Sequence, residues 1–220
     1  SFFHPHPPIV PPRDYWDRYI GIEDLAPVLG EWSPRGGGAR RGIHPDADAG
    51  PFPPEEVHDA IAGYLALCNH IDDCVAHVIE RYYEYCNRDG RHTEPTYIVF
   101  SSDHGEMLGD HHLWRKSRAY EASSHVPLFV SGRNVDVPRG RCDALVGWED
   151  IMPTILELAG VDVPDGLDGR SLVPAMRGEQ EQVRQAIFGM CDDMVYAVRG
   201  DWKYLRYTSN GEEQLFNLAE

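Results

Sequence analysis

The chain has 220 residues and a formal net charge of −16, with 36 Asp and Glu against 20 Lys and Arg. That balance excludes a nucleic-acid surface, because neutralising phosphates takes a basic stripe and the cations here are scattered. At 42% hydrophobic and 25% charged it reads as an ordinary globular protein with one sizeable core, and no apolar run approaches the roughly twenty residues of a membrane span.

The opening "SFFHPHPPIVPP" has no basic region and no signal-like core, so it does not reveal localisation. It reads as the end of an apolar strand breaking into a proline-rich extended segment, and a chain that opens in mid-strand is expected to have been cut there. A short helix is expected within residues 13 to 29. Residues 30 to 54 are too rich in Gly and Pro for regular structure; their Arg35, Arg40 and Arg41 either border an anionic substrate or are simply solvated. From Pro54 to about Asn87, apolar residues including Val57, Ile61, Leu65, Cys68, Ile71, Val75, Val78 and Tyr82 recur at helical spacing, which predicts one long helix packed on a sheet.

"TYIVFSS", at residues 96 to 102, is β-branched and aromatic and apolar on both faces, as a central parallel strand would be, and "VPLFVSG" at 126 to 132 is a second such run. "EDIMPTILELAG" at 149 to 160 predicts a helix closed by Gly160. From about residue 186 the pattern alternates around Gly-Asp and Asn-Gly turns, which predicts an antiparallel meander. Strands alternating with helices indicate an α/β layered fold, with residues 1–185 in the main domain and 186–220 beginning a small antiparallel subdomain. The five cysteines, Cys68, Cys74, Cys86, Cys142 and Cys191, form no CxxC pair, so neither a disulfide framework nor a zinc site is expected.

The chemistry gathers after the first strand, in "SSDHGEMLGDHHLWRK". Ligands in open α/β sheets bind beyond the carboxyl ends of strands, where Asp103 and His104 lie. A carboxylate and an imidazole side by side turn toward one cation only if the backbone bends, which Gly105 and Gly109 permit. Two ligands leave a hard cation short of its six or more oxygens, so the other donors must come from elsewhere. Taken alone, "SDHG" is equally open to Asp103 capping a turn with His104 on the surface. A lone Lys116 reads as a solvated side chain, and His6 in "PHPP" as structural.

In combination these segments resemble the sulfatase family of the alkaline-phosphatase-like superfamily. The family's "PHxP" segment is matched by His4-Pro5-His6-Pro7, with His6 in the functional place. Its long helix carries a motif like "HIDDCV", and its "SDHG…G(D/E)H…K" block is matched by Ser102, Asp103, His104, Gly105, Gly109, Asp110, His111 and Lys116. "YE…VP" at Tyr120, Glu121, Val126 and Pro127, the "PTILELAG" helix, "GLDGRSLVP" and the terminal "LFNLAE" follow in the family's order. His125 stands where many members have Arg before "VP".

The resemblance implies an alkaline-phosphatase-like mixed sheet flanked by helices, present here in part, with a small C-terminal antiparallel sheet. It implies that Asp103 and His104 ligate a divalent metal, calcium in the first place with manganese as the alternative. It also implies that His6 and Lys116 contact the sulfate ester catalytically. His111 lies near enough in sequence to line the substrate pocket, with no chemical role assigned to it. The implied ligand is a small-molecule or glycan sulfate ester.

The family's formylglycine nucleophile, made from Cys or Ser in C/S-x-P/A-x-R, has no match among these residues, so it is expected in a missing N-terminal part. The leading expectation is therefore a sulfatase fragment that is inactive by itself. The alternatives are a phosphonate monoester or phosphodiester hydrolase of the same superfamily, and a non-catalytic half-domain that binds a partner or an anion. A partial sheet is also expected to expose apolar surface and favour self-association into homo-oligomers.

Overall fold

A computed structural model describes residues 1–33, 50, 52–135 and 137–219. Most of the Gly- and Pro-rich segment, including Arg35, Arg40 and Arg41, lies outside the described residues. The chain divides into two units, the first comprising residues 1–94, 102–116 and 120–126, the second 95–101, 117–119 and 127–220.

The first unit opens on a turn rather than on the expected strand end. Residues 1–12 carry no strand: five of these twelve residues are prolines, each lacking a donor and disfavouring helix in the residue before it, and the segment closes on itself through His6 N–H donating to the Phe3 carbonyl at 3.2 Å. Helix α1, Arg13–Tyr19, then packs on α2, Pro54–Arg88. Both begin directly after a proline, whose fixed φ suits a helix entry.

The 35-residue α2 buries Val57, Ala62, Gly63, Ala66 and Leu67 in its first half. Gly63 is required there, since a Cβ would come within 2.6 Å of Ile9 Cγ2 and 3.2 Å of the Trp16 ring. Farther along, Tyr15 donates to Asp73 at 2.7 Å and Arg18 to Asn69 at 2.8 Å, with the Arg18 guanidinium over the Tyr15 ring. Beyond these contacts Val78, Tyr82 and Tyr85 are exposed. A short helix α3, Glu121–Ser124, completes the unit.

In the second unit β1, Thr96–Ser101, pairs with β2, Leu128–Arg133. The pairing is antiparallel, Phe100 opposite Phe129, and not the central parallel arrangement expected. Two apolar faces report burial of a strand and are silent about its neighbour's direction. The two phenylalanine rings stack at 4.7 Å.

Helix α4, Ile151–Leu158, follows a 3-10 turn at Trp148–Asp150 and ends at Gly160 with φ +69°, the left-handed stop that the sequence predicts. The turn is built on Asp150, which is fully buried. Its carboxylate accepts from Gly147 N–H at 2.8 Å, from Arg170 N–H at 2.7 Å and from the Arg184 guanidinium, whose other arm reaches Glu149 at 2.6 Å. The "GLDGR" motif is thereby explained as packing: a Cβ on Gly169 would meet the Glu149 carbonyl at 1.8 Å, so only glycine brings Arg170 N–H to the buried carboxylate.

Helix α5, Val173–Met176, leads into strands β3 (Ile187–Cys191), β4 (Met194–Arg199), β5 (Trp202–Tyr207) and β6 (Glu213–Asn217), an antiparallel sheet in chain order. One face buries Met194, Leu205 and the Lys203 stem, with the Lys203 ammonium 5.4 Å from the Tyr196 ring centre. On the other, Phe188, Met190 and Leu215 are exposed.

Candidate functional site

Three of the expected site residues meet in the first unit. Lys116 Nζ lies 3.1 Å from His6 Nε2 and 2.9 Å from His104 Nε2, and the two rings stand edge to face with centroids 5.9 Å apart. Each imidazole is oriented from behind. His6 Nδ1 is 2.8 Å from the Pro7 carbonyl, and His104 Nδ1 is 2.8 Å from the Gly105 carbonyl. A carbonyl only accepts, so each Nδ1 carries the proton, and each neutral ring offers an Nε2 lone pair to the same ammonium.

Asp103 is the exposed member. Its side chain is 78% exposed, one oxygen accepts from His104 N–H at 3.2 Å and the other lies 3.6 Å from His104 Nε2. The bend that separates it from Lys116 depends on Gly105, where a Cβ would stand 2.1 Å from the Ala122 carbonyl oxygen. The Gly105 N–H donates to Ser123 O at 2.8 Å, which pins this bend to α3.

An imidazole with its Nδ1–H tied to a carbonyl is how a histidine metal ligand is usually oriented, and a neighbouring exposed carboxylate suits a hard cation in kind. In number the fit is partial. Among the described residues no three His, Cys, Asp or Glu side chains converge on one point, and Asp103 and His104 by themselves offer two donors where a hard cation takes six or more.

His111 sits in a different cluster. Its Nδ1 is 3.2 Å from Ser33 Oγ, and its ring lies 4.3 Å from Trp32 and 5.3 Å from Tyr120. The backbone is left-handed here, φ +55°, and is held by His111 N–H donating to Val28 O at 2.8 Å. Burial pushes the His111 pKa down, Asp110 pulls it back up and His112 lowers it further. A folded-state pKa below the unfolded value of about 6.5 means that the unfolded chain binds this proton first. The stability contributed by neutral His111 is thus complete above that pH and shrinks as pH falls below it. Urea midpoints are expected to drop less between pH 7.5 and 5.5 in His111→Gln than in the unaltered chain; equal drops would contradict this.

Sequence reading passed over Ser33, Trp32 and Glu106. Nothing in the spacing ties residue 33 to residue 111, whereas Glu106 directly follows "SDHG" and its position was a readable signal. His125, in place of the family's Arg, forms an exposed pair with Glu121 at 2.9 Å.

A family model described as Sulfatase matches residues 2–161, and a second, described as N-sulphoglucosamine sulphohydrolase, C-terminal, matches residues 109–218. An arylsulfatase of Clostridium perfringens is 32% identical over 227 residues, which cover 100% of this chain and 46% of the relative. A choline-sulfatase of Rhizobium meliloti is 32% identical over 231 residues, covering 99% of this chain and 43% of the relative. The crystal structure of the phosphonate monoester hydrolase of Agrobacterium radiobacter superposes with a TM-score of 0.74 at 25% identity, over 100% of this chain and 49% of its own. The chain thus spans about half the length of the curated relatives it matches, and its mixed α/β architecture is alkaline-phosphatase-like. With the Sulfatase model matched from residue 2 to residue 161, across the "PHxP" and "SDHG" segments that bring His6, His104 and Lys116 together, the chain belongs to the sulfatase family.

Proposed function

We propose that this chain contributes the ester-anchoring and part of the metal-binding residues of a sulfuric ester hydrolase. The observation that carries the reading is the convergence of His6, His104 and Lys116, in a chain of this family. A sulfate monoester is bound as an anion, and its cleavage moves negative charge onto the bridging oxygen. Lys116 is a cation with three donors, two of which its imidazole neighbours occupy, which leaves one for an ester oxygen. His6 has committed Nδ1 to Pro7, so Nε2 is the atom through which it exchanges a proton; as a general acid it would first take up a proton at Nε2, releasing the Lys116 hydrogen bond, and then pass that proton to the leaving alcohol. His111, set between Trp32 and Tyr120, would present its remaining ring nitrogen to the substrate.

Asp103 and His104 would hold the divalent cation, calcium or manganese; His104 would then give its Nε2 lone pair to the cation in place of Lys116, which keeps His6 and frees a further N–H for the ester. When bound, the cation supplies charge that neutralises the sulfate oxygens. The formylglycine nucleophile belongs in this reading to a part of the enzyme outside these 220 residues, as do the remaining metal ligands. The 220-residue chain by itself is therefore inactive in this reading. Residues 1–185 form part of the α/β domain and 186–220 open the small subdomain.

The full-chain superposition on a phosphonate monoester hydrolase favours a second reading, in which the same anchoring groups hold a phosphonate monoester. Initial rates of the longer enzyme on 4-nitrophenyl sulfate and on an aryl phosphonate monoester separate the two. A higher kcat/KM on the sulfate is expected, and the reverse order replaces the first reading with the second.

A further inference from the structure

Lys116 arrives between its two histidines at the end of a loop with an unusual backbone. Leu108, His111, His112 and Arg115 are all left-handed without being glycine, with φ of +49°, +55°, +61° and +69°. An L side chain is disfavoured in that region, and several such residues persist together only where the surroundings over-determine them.

Two of the four, Leu108 and Arg115, share one restraint. The Glu106 carboxylate accepts from Leu108 N–H at 3.3 Å and, with the same oxygen, from Arg115 N–H. Glu106 is itself anchored, since its N–H donates to Ala122 O at 2.9 Å beside the Gly105 bond to Ser123, and Met107 N–H donates to Arg115 O at 2.8 Å. Among the described residues Glu106 forms no ion pair, so its charge is turned inward on the loop's own amides. The residue after Arg115 is Lys116.

We propose that Glu106 is a positioning residue: its carboxylate clasps the left-handed Arg115 and so places Lys116 Nζ between His6 and His104. The consequence for the reaction rests on the reading of Lys116 as the ester anchor; the clasp itself does not. A carboxylate suits the task because it accepts two N–H groups at once and, when ionised, binds them more strongly than a neutral carbonyl would. If the clasp opposes a local backbone preference, then glycine at position 115, which adopts positive φ without penalty, makes it dispensable.

The test uses the 220-residue chain with ¹⁵N-labelled Lys and His, observing the Lys116 Nζ signal and the His6 Nε2 shift by NMR. Glu106→Ala is expected to abolish the protected Lys116 signal and move His6 Nε2 toward the free-histidine value. Glu106→Gln, which keeps an acceptor oxygen, is expected to retain both, and Glu106→Ala combined with Arg115→Gly to restore both. Unchanged signals in Glu106→Ala overturn the proposal. So does a folded or unfolded double variant that lacks them, because a general packing role is not rescued by a glycine nine residues away. If Glu106→Ala fails to fold, the double variant decides: folded with both signals it supports the clasp, otherwise it refutes it. Should the clasp hold while Lys116→Ala leaves turnover by the longer enzyme intact, the functional reading falls and the positioning stands.

Discussion

Under the proposed function, Lys116→Ala is expected to lower kcat on 4-nitrophenyl sulfate by about 10²- to 10³-fold in an enzyme that combines this chain with its nucleophile, the range lost when one preorganised donor to a developing negative charge is removed. The size of the effect follows from how Lys116 is held. The His6 imidazole, with its proton on Nδ1, accepts from the ammonium at 3.1 Å, so the position of Lys116 is set before substrate arrives. Lys116→Arg is expected to recover little, because a planar fork on a longer stem cannot occupy a point between two Nε2 atoms. His6→Ala is expected to slow alkyl sulfates more than 4-nitrophenyl sulfate, since a poor leaving group depends more on the proton that His6 would deliver. The two substitutions touch one hydrogen-bonded cluster, so their combined loss is expected to be smaller than the sum of the separate losses. Kinetics of Lys116→Ala within about twofold of the unaltered enzyme would refute its assignment as the ester anchor.

The second large effect concerns stability. Asp150→Ala removes the fully buried carboxylate that serves two backbone N–H groups and leaves the 9% exposed Arg184 side chain without its innermost partner. Breaking one side of a buried pair costs on the order of 3–5 kcal/mol, because the surviving charge stays desolvated. For a chain of this size that corresponds to a fall in Tm of roughly 6–20 °C, read from a thermal melt followed by circular dichroism. Asp150→Asn, which keeps an oxygen for Gly147 or Arg170 but not the charge facing Arg184, is expected to fall between the two. A melt within about 2 °C of the unaltered chain for Asp150→Ala would show that Glu149 alone satisfies Arg184.

Local elements were legible where a single physical rule governs them. The helical period from Val57 onward and the proline at its start placed α2 to within a residue or two, and Gly160 marked the end of α4 because φ +69° is open to it. The Gly200 and Gly211 turns likewise marked the C-terminal meander. Strand direction was not legible. Apolar residues on both faces of β1 report burial, and burial is compatible with either a parallel or an antiparallel neighbour. Nor was the reason for "GLDGR", in which a steric demand at Gly169 and a buried carboxylate twenty residues before Arg170 leave no local pattern.

The chain's composition and local patterns by themselves determined α1, α2 and α4, the strands from residue 96 onward, the adjacency of Asp103 and His104 and, through the order of its motifs, the family. These are properties of neighbours, set by propensity, period and spacing. Only the tertiary structure decided that His6 and Lys116, 110 residues apart, share a hydrogen bond with each other, that His104 completes the trio, and that His111 belongs to Ser33 and Trp32 instead. Such contacts depend on where the folded backbone returns, and that return is governed by close approaches at Gly63 and Gly105 and by a carboxylate at Glu106 holding left-handed residues in place. None of these has a periodic signature, because each is satisfied by one partner at a distance along the chain that packing alone selects.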